Sequence, residues 1–432
     1  MNIVHVYDGH EKVYGGRGSV PGVVWNVARE TAAAGHKVII IERQWNGLDA
    51  SAEHEGVRFE RLNLRTGADE PWTRIPYEEV VSPLGTARLV GDRVNFAFAV
   101  LRWLRKMDFD VLHVHLPFAA NVLLTIAPWL RKRTVYTAHM GELRLNALTD
   151  EQQGTATAAA DGGTEHRSGG EELNAPSILQ ALSPDIYLAR RAARTTVLNP
   201  NIRVMFERRG VSPESLAVVP NGVDLERFGE VGPTRAERGA AAYGFDDVTV
   251  LLFVGTVMPR KGVDDLVRAM ERLVSDHGRD ELLLVIAGED SLDGKYTSRV
   301  HERVRAAGME DYIAFTGFVP EEELPVLYHL ADVFVMPSRE EGFGMTITEA
   351  MAASTPVVAT SVGGIPQQVD HGDQGLLVEP GAPDEFATAI ERLLDGPDER
   401  ERMSERARER AREFTWTGVG ERFGSVYGEV MS

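Results

Sequence analysis

Cysteine is absent from the 432-residue chain, and this absence excludes disulfide bonds, thiolate metal sites, iron–sulfur clusters and a cysteine nucleophile. No apolar run approaches the ~20 residues that a membrane-spanning helix needs, and the N-terminal residues lack the pattern of a signal peptide. Lysine is also scarce, with only six among the 46 basic residues. From these absences we expect a cytoplasmic protein.

Acidic residues outnumber basic ones, 65 against 46, which gives a net charge of −19 at pH 7. A field of that sign repels the phosphates of nucleic acid, so nucleic acid is not an expected partner. An acidic chain whose cations are mainly arginines suggests a halophilic organism. The remaining composition, 43% hydrophobic and 26% charged, is that of a soluble globular enzyme.

Short apolar strands alternate with helical patterns along most of the chain, beginning with a βαβ unit in residues 2–41. Strands that are apolar on both faces are typical of parallel sheets. We therefore predict an α/β protein with two doubly wound, Rossmann-like domains that face each other across a ligand-binding cleft. The predicted parts are a first domain at 1–224, a linker at 225–246, a second domain at 247–413 and a C-terminal helix at 414–432 that packs back on the first domain.

One polar segment, residues 151–172, interrupts this pattern. It contains no aromatic residue and no aliphatic side chain larger than alanine, so it cannot bury enough surface to offset its ordering entropy. We predict a flexible surface insert, and a lid over a cleft is the alternative.

The densest motif is PSREEGFGMTITEAMAASTPVV, which follows a predicted strand. Gly342 and Gly344 lie in a turn before a helix, where a ligand can approach the backbone and free N–H groups favour an anion. Glu341 in the turn and Glu349 in the helix can direct two carboxylates toward one cleft, where they accept hydrogen bonds from sugar or ribose hydroxyls. An S-x-x-E capping box within the same motif is the structural alternative.

This motif resembles the E-x7-E signature of the retaining glycosyltransferases of family 4, with Glu341 and Glu349 as its glutamates. The resemblance implies the GT-B architecture of two facing Rossmann-like domains. It also implies transfer of a hexose or related sugar, with retention, from a nucleoside-diphosphate sugar to a glycan, lipid or small-molecule acceptor. Further segments resemble the family in the same order along the chain: 15–38, 110–117, 135–139, 218–228, 251–270, 313–338 and 362–378.

The departing diphosphate of such a donor is negatively charged, so catalysis needs cations directed at it. Arg260 and Lys261 lie at a predicted strand-to-helix turn, and Lys261 matches the family's phosphate-binding lysine. Thr256 stands where the family usually has arginine, and we expect Arg260 to replace that charge. A solvated pair in the first helical turn is the alternative, although cations at a helix start oppose the macrodipole.

The resemblance also implies the remaining site residues. Glu349 is expected on the ribose hydroxyls, and Glu341 on the sugar hydroxyls with help from backbone N–H groups. His139 matches a histidine near the transferred sugar, with a structural histidine as the alternative. Of these, Glu341, Lys261, Arg260 and His139 are the expected catalytic residues. The expected donor-binding residues are Glu349, Gly342, Phe343, Gly344, Gly15, Gly16, Phe318, Val319 and Gly363, and for the loop residues among them ordinary turn chemistry is the alternative.

No metal and no obligatory cofactor are expected. Asp108 and Asp110 form the D-x-D pattern of metal-dependent transferases, but they directly precede a predicted strand, whose start explains them. His113 and His115 alternate along one face of that strand, and we interpret them as residues of the core or of the cleft wall.

Two segments, 96–106 and 127–133, combine aromatic with basic residues. In so acidic a chain, such clusters are suited to peripheral contact with anionic lipid and to a lipid-linked acceptor. The alternative is that both are amphipathic helices that cover a sheet.

Three other functions remain alternatives. A GT-B sugar phosphorylase or nucleotide-sugar epimerase would keep the architecture and change the reaction. A nicotinamide-dependent oxidoreductase is disfavoured because Pro21 stands where the G-x-G-x-x-G fingerprint needs a small residue. A non-catalytic partner subunit is disfavoured by the presence of both glutamates and Lys261.

Overall fold

The structure is a computed structural model that describes residues 1–16, 18–66, 82–139, 183–229, 248–290 and 293–432. The chain divides into two compact units, Met1–Val219 with Gly420–Ser432, and Pro220–Val419. The predicted insert at 151–172 lies outside the described residues, as does the predicted linker from residue 230 onward.

The described part of the first unit is built on an eight-stranded sheet in the order β3-β4-β2-β1-β5-β6-β7-β8. Its neighbouring strands are parallel except for the antiparallel pair β3 and β4. The strands β5 and β6 are buried along their whole length, as expected of parallel strands covered on both faces. The strands are β1 (Asn2–Val6), β2 (Lys37–Arg43), β3 (Ser51–His54), β4 (Val57–Leu62), β5 (Val111–Val114), β6 (Thr134–Ala138), β7 (Arg194–Val197) and β8 (Leu216–Val218).

Helices of the first unit begin where the sequence offers caps. Ser82 accepts the Gly85 N–H at 3.0 Å, and Asn199 accepts the Ile202 N–H at 2.9 Å. Proline occupies the first helical position after both caps, where its missing N–H costs no hydrogen bond. The helices are α1 (Ser19–Ala33), α2 (Pro83–Leu104), α3 (Pro117–Ile126), α4 (Pro184–Ala189) and α5 (Pro200–Arg208).

The second unit contains a six-stranded, wholly parallel sheet in the order β11-β10-β9-β12-β13-β14 among the described residues. Its strands are β9 (Thr249–Val254), β10 (Leu282–Ala287), β11 (Ile313–Gly317), β12 (Val333–Met336), β13 (Val357–Thr360) and β14 (Gly375–Val378). Its helices are α6 (Leu225–Gly229), α7 (Val263–Glu271), α8 (Gly294–Ala307), α9 (Leu324–Leu330), α10 (Met345–Ala352), α11 (Pro383–Asp395) and α12 (Pro397–Ala411), and the boundary with the first unit falls within α13 (Trp416–Met431).

The predicted α/β class with two parallel-sheet units is confirmed. The sequence did not predict the β3–β4 hairpin, whose short strands carry alternating polar residues. Glu55 and Gly56 both have positive φ, 46° and 78°, which is the backbone of a tight hairpin turn. Within the described residues, no helix combines the length and the apolar character needed to cross a bilayer.

Candidate active site

Three loops meet at the carboxyl edge of the second sheet because they follow the adjacent strands β9, β12 and β13. The first two loops are joined through the carbonyl oxygen of Arg260. This oxygen accepts the N–H of Arg339 at 2.7 Å and that of Glu340 at 3.3 Å. The loop that carries Lys261 is thereby held against the loop that carries Glu341.

Two glycines are required by the close approach of these loops. A Cβ atom on Gly262 would lie 2.1 Å from the carbonyl oxygen of Pro337, and one on Gly363 would lie 1.6 Å from that of Glu341. Both glycines also have positive φ, 65° and 56°. The third loop therefore rests directly on the backbone of Glu341.

Lys261 and Glu341 form an ion pair inside these loops. The Lys261 Nζ atom lies 2.6 Å from Glu341 Oε2, and the two side chains are only 10% and 11% exposed. Arg339, which precedes Glu341 in the same loop, forms ion pairs with the carboxylates of Asp264 and Asp265, each at 2.9 Å. The two loops therefore pair most of their charged groups.

Arg260 differs from these paired cations. Among the described residues no carboxylate oxygen lies within 4 Å of its guanidinium, and its buried Nε has no hydrogen-bond partner. Counting Lys261, Glu341 and Arg260 together leaves one net positive charge in a half-buried position. A buried polar group without a partner is unfavourable, so the arrangement favours an added anion.

The pKa shifts of the pair agree with an excess of positive charge. Burial lowers the pKa of the Lys261 ammonium, with the Arg260 charge adding to the effect and Glu341 opposing it. Burial would raise the pKa of Glu341, but the charges of Lys261 and Arg260 and the Gly342 N–H outweigh it and hold that pKa below its usual value. Both shifts are those expected beside a surplus cation.

Glu349 has a different partner. The Tyr328 hydroxyl on α9 donates a hydrogen bond to Glu349 Oε2 at 2.7 Å. Burial raises the pKa of Glu349, while the Tyr328 hydrogen bond and the charge of Arg227 oppose that rise. The two glutamates of the motif therefore lie on the same turn and helix but bind separate side chains.

The helix that carries Glu349 begins at Met345, after Gly344 with φ of 92°. This start excludes the capping-box alternative, because a capping serine would have to lie directly before the helix and Ser338 lies well before it. The Ser338 hydroxyl instead lies 3.5 Å from the side-chain oxygen Oε2 of Glu341. The side-chain amide of Gln368 donates a hydrogen bond to the carbonyl of Phe343. This bond fixes the turn that contains Gly342 and Gly344.

Phe318 and Val319 follow β11 at the same edge of the sheet, two strands away from β9. Phe318 is 42% exposed, whereas Val319 is buried. The structure thus brings Arg260, Lys261, Glu341 and Gly363 together and puts the β11 loop further along the edge.

Gly15, Gly16 and His139 belong to the first unit. Gly15 has φ of 65°, and a Cβ on Gly16 would lie 2.1 Å from the Lys12 carbonyl oxygen, so the turn geometry alone requires both glycines. His139 follows β6 and is buried, with Nε2 3.1 Å from Nδ1 of His115.

One group of histidines, His5, His113 and His115, is compact enough to be considered as a metal site. The fit is poor. Both ring nitrogens of His113 are engaged, by Tyr427 at 2.8 Å and Thr137 at 2.7 Å. His5 and His115 are stacked at 13° and hydrogen-bond to each other, so their lone pairs do not converge on one point. In the D-x-D pattern, the second aspartate, Asp110, accepts a hydrogen bond at 2.7 Å from the backbone N–H of Asn2, the first residue of β1.

Comparison with solved structures defines the fold class of the chain. The chain superposes on sucrose-phosphate synthase from Thermosynechococcus elongatus with a TM-score of 0.78 at 24% identity, covering 100% of this chain and 99% of that one. It superposes on the Anabaena protein HepE, solved with UDP-glucose, with a TM-score of 0.72 at 18% identity and 99% of each chain. These are GT-B glycosyltransferase folds.

Sequence comparison then defines the family. Residues 20–227 match Glycosyltransferase Family 4, and residues 240–410 match Glycosyl transferases group 1. The D-inositol 3-phosphate glycosyltransferase of Corynebacterium diphtheriae is 30% identical over 425 residues, 96% of this chain and 91% of that protein. The chain belongs to glycosyltransferase family 4, and it is a retaining enzyme that transfers a hexose from a nucleotide sugar, as the sequence predicted.

Sequence reasoning missed the residues that support the motif. Tyr328 lies in a family-like segment, but its hydrogen bond to Glu349 spans 21 residues and could not be inferred from spacing. Gln368 lies in the family-like segment 362–378, but its bond to Phe343 depends on how two loops fold together.

Proposed function

We propose that the second unit binds a UDP-sugar, with Arg260 and Lys261 on its diphosphate. The observation that carries this proposal is the guanidinium of Arg260, which has no carboxylate partner within the part of the chain that the structure describes. A diphosphate at these loops would neutralise the surplus charge and give the buried Nε an acceptor. The uridine base is suggested by HepE, a GT-B protein solved with UDP-glucose. Phe318 and Val319 are the proposed contacts of the base.

In this proposal Glu349 accepts hydrogen bonds from the ribose hydroxyls and Glu341 from the sugar hydroxyls. The Tyr328 hydroxyl donates a hydrogen bond to one carboxylate oxygen of Glu349 and thereby orients the other oxygen. Phe343 and Gly344 supply backbone N–H groups at the start of α10, where the macrodipole favours negative charge. No metal ion or further cofactor is assigned to the reaction.

The proposed acceptor is a small phosphorylated polyol or sugar. Its support is the corynebacterial relative, whose name gives D-inositol 3-phosphate as the molecule it glycosylates. Gly15, Gly16 and His139 of the first unit are the proposed contacts on the acceptor and on the transferred sugar. A glycan or lipid-linked acceptor is the second candidate.

Retention requires the new bond to form on the face that the diphosphate leaves. We propose a front-face reaction in which the bond between the anomeric carbon and the diphosphate oxygen breaks, and the acceptor hydroxyl forms the new glycosidic bond. The hydroxyl proton passes to an oxygen of the departing diphosphate. Arg260 and Lys261 stabilise the charge that develops on that leaving group, which is where preorganised cations contribute most.

The test is transfer from UDP-glucose and other UDP-sugars to D-inositol 3-phosphate by the purified chain, with product and UDP quantified together. Equal amounts of UDP and a new glycoside support the proposal. A sugar phosphate formed from inorganic phosphate would indicate a phosphorylase, and conversion without acceptor an epimerase. We expect Arg260→Ala to lower kcat/KM by about 10-fold or more. Arg268→Ala, which removes a half-exposed arginine of α7, should leave kcat/KM unchanged and serves as the control.

We also propose peripheral contact of the first unit with anionic lipid. Two neighbouring grooves share Leu101 and Arg105; Phe98 lines one and Trp129 the other, and neither groove is lined by an acidic residue. Phe98 and Trp129 are 53% and 58% exposed. Among the described residues, none of the surrounding cations has a carboxylate within 4 Å; they are Arg102, Arg105, Lys106, Lys132 and Arg133.

Co-sedimentation with vesicles tests this contact. Binding to phosphatidylglycerol vesicles at low salt, absent with phosphatidylcholine, is the expected result. Arg102→Ala/Lys106→Ala should weaken the binding, and Lys295→Ala, a change on α8 of the second unit, should not. Wild-type protein that stays in the supernatant at low salt would remove the proposal.

A further inference from the structure

Three buried histidines form a hydrogen-bonded row across adjacent strands of the first sheet. His5 lies in β1, His115 directly follows β5, and His139 directly follows β6, and these strands are neighbours in the sheet. His5 Nδ1 lies 2.9 Å from His115 Nε2, and His115 Nδ1 lies 3.1 Å from His139 Nε2. The row ends at His5 Nε2, which is buried without a partner among the described residues.

Each neutral imidazole carries one hydrogen and one lone pair, so the two bonds of the row must run in the same direction. If they ran from His139 toward His5, the last hydrogen would sit on His5 Nε2 with no acceptor. If they run from His5 toward His139, that atom carries only a lone pair. A buried N–H without an acceptor is rarer in proteins than a buried acceptor without a donor. The second direction is therefore favoured.

The surroundings keep His5 and His115 uncharged. Burial lowers the pKa of His5 to about 3. Burial also lowers the pKa of His115 well below its usual value, helped by the neighbouring histidines. His113 packs against His115 with ring centroids 4.1 Å apart, and is itself held by Tyr427 and Thr137. Neutral rings are what the tautomer argument requires.

We propose that His5 and His115 are positioning residues that hold His139 in one tautomer, with its hydrogen on Nδ1. His139 then acts as a hydrogen-bond donor from Nδ1, and Nε2 is occupied by the His115 N–H. A donor of this kind suits a sugar hydroxyl oxygen, and it cannot take the acceptor proton at Nδ1. The inference rests on the proposed function only in assigning His139 to the sugar.

The tautomer of each histidine in the row can be determined directly from long-range 1H–15N correlation spectra of protein labelled with 15N-histidine, recorded on the free chain. Variants at each of the three positions assign the signals. We expect His5, His115 and His139 all as Nδ1–H tautomers. An Nε2–H tautomer at His139 in the wild type would overturn the inference, as would binding of Zn²⁺ by His5 and His115 in the same spectra.

A matched pair of variants tests the positioning role. His5→Phe keeps a ring but removes the donor, and His5→Asn keeps an N–H near the position of Nδ1. We expect His5→Phe to give a mixture of His139 tautomers and a kcat/KM lower by about 2- to 10-fold, the effect of one neutral hydrogen bond. His5→Asn should restore the single tautomer. An unchanged His139 tautomer in His5→Phe would contradict the role.

The spectra also separate this inference from the proposed function. A wild-type chain with the Nδ1–H row that transfers no sugar would support the row and refute the function. If His5→Phe fails to fold, the wild-type and His5→Asn spectra still decide the direction of the row.

Discussion

Replacing Lys261 with alanine removes one cation from a group of three charges, so the net charge of Lys261, Arg260 and Glu341 falls from one to zero. The Lys261 and Glu341 side chains are about 10% exposed, which limits screening by water. A charge pair at about 4 Å in partly buried surroundings is worth roughly 4 kcal/mol, and the loss of one charge-stabilising donor costs about 10²–10³ in rate. Because Glu341 also loses its partner, its pKa should rise, and its protonation returns part of the lost positive charge. We therefore predict a fall of about 10²-fold in kcat/KM.

The assay is the initial rate of glycoside formation at several donor concentrations, which separates kcat from KM. Lys295→Ala, which removes an exposed lysine of α8, is the matched control and should keep the wild-type rate. The melting temperature of each variant, measured without donor, shows whether the fold is intact. A folded Lys261→Ala protein with kcat/KM within about threefold of wild type would refute the assignment of Lys261 to the diphosphate.

Two further predictions concern the supports of the motif. Tyr328→Phe removes the hydrogen bond that favours ionised Glu349, so the pKa of Glu349 should rise further. As the pH is lowered, the donor KM should therefore begin to increase at a higher pH in the variant than in wild type. Identical pH profiles of the donor KM would contradict this. Gly363→Ala forces a methyl group onto the Glu341 carbonyl, 1.6 Å away, and should lower kcat/KM by about 10-fold or more. Gly372→Ala is its control, because Gly372 also has positive φ but open space around it, and equal effects of the two changes would count against the steric explanation.

The sequence predicted the parallel strands of the second unit closely, because strands buried on both faces are continuous apolar runs. The apolar runs at 249–254, 282–287 and 333–336 predict strands, and these coincide with β9, β10 and β12. Prediction was poorer where a short element is half polar, as in the β3–β4 hairpin. The antiparallel pairing of β3 depends on a two-residue turn that carries no Asn-Gly or Asp-Gly signal.

The residues of the candidate site were likewise predicted only in part. The family-like motifs brought Arg260, Lys261 and Glu341 to one place, and the structure shows that the latter two are paired. Tyr328, Gln368 and the histidine row could not be predicted, because each depends on contacts between segments far apart in the chain. Strand order, which spacing alone does not reveal, puts β1 beside β5 and so brings His5 within hydrogen-bond distance of His115.

The most direct test of the account compares the affinities of UDP and UMP for wild type and for Lys261→Ala by isothermal titration calorimetry at one salt concentration. The two ligands differ by the terminal phosphate that the cationic loop is proposed to hold. We predict that wild type prefers UDP over UMP by about 10-fold or more, and that this preference largely disappears in Lys261→Ala. The same preference in both proteins would contradict the proposed diphosphate site.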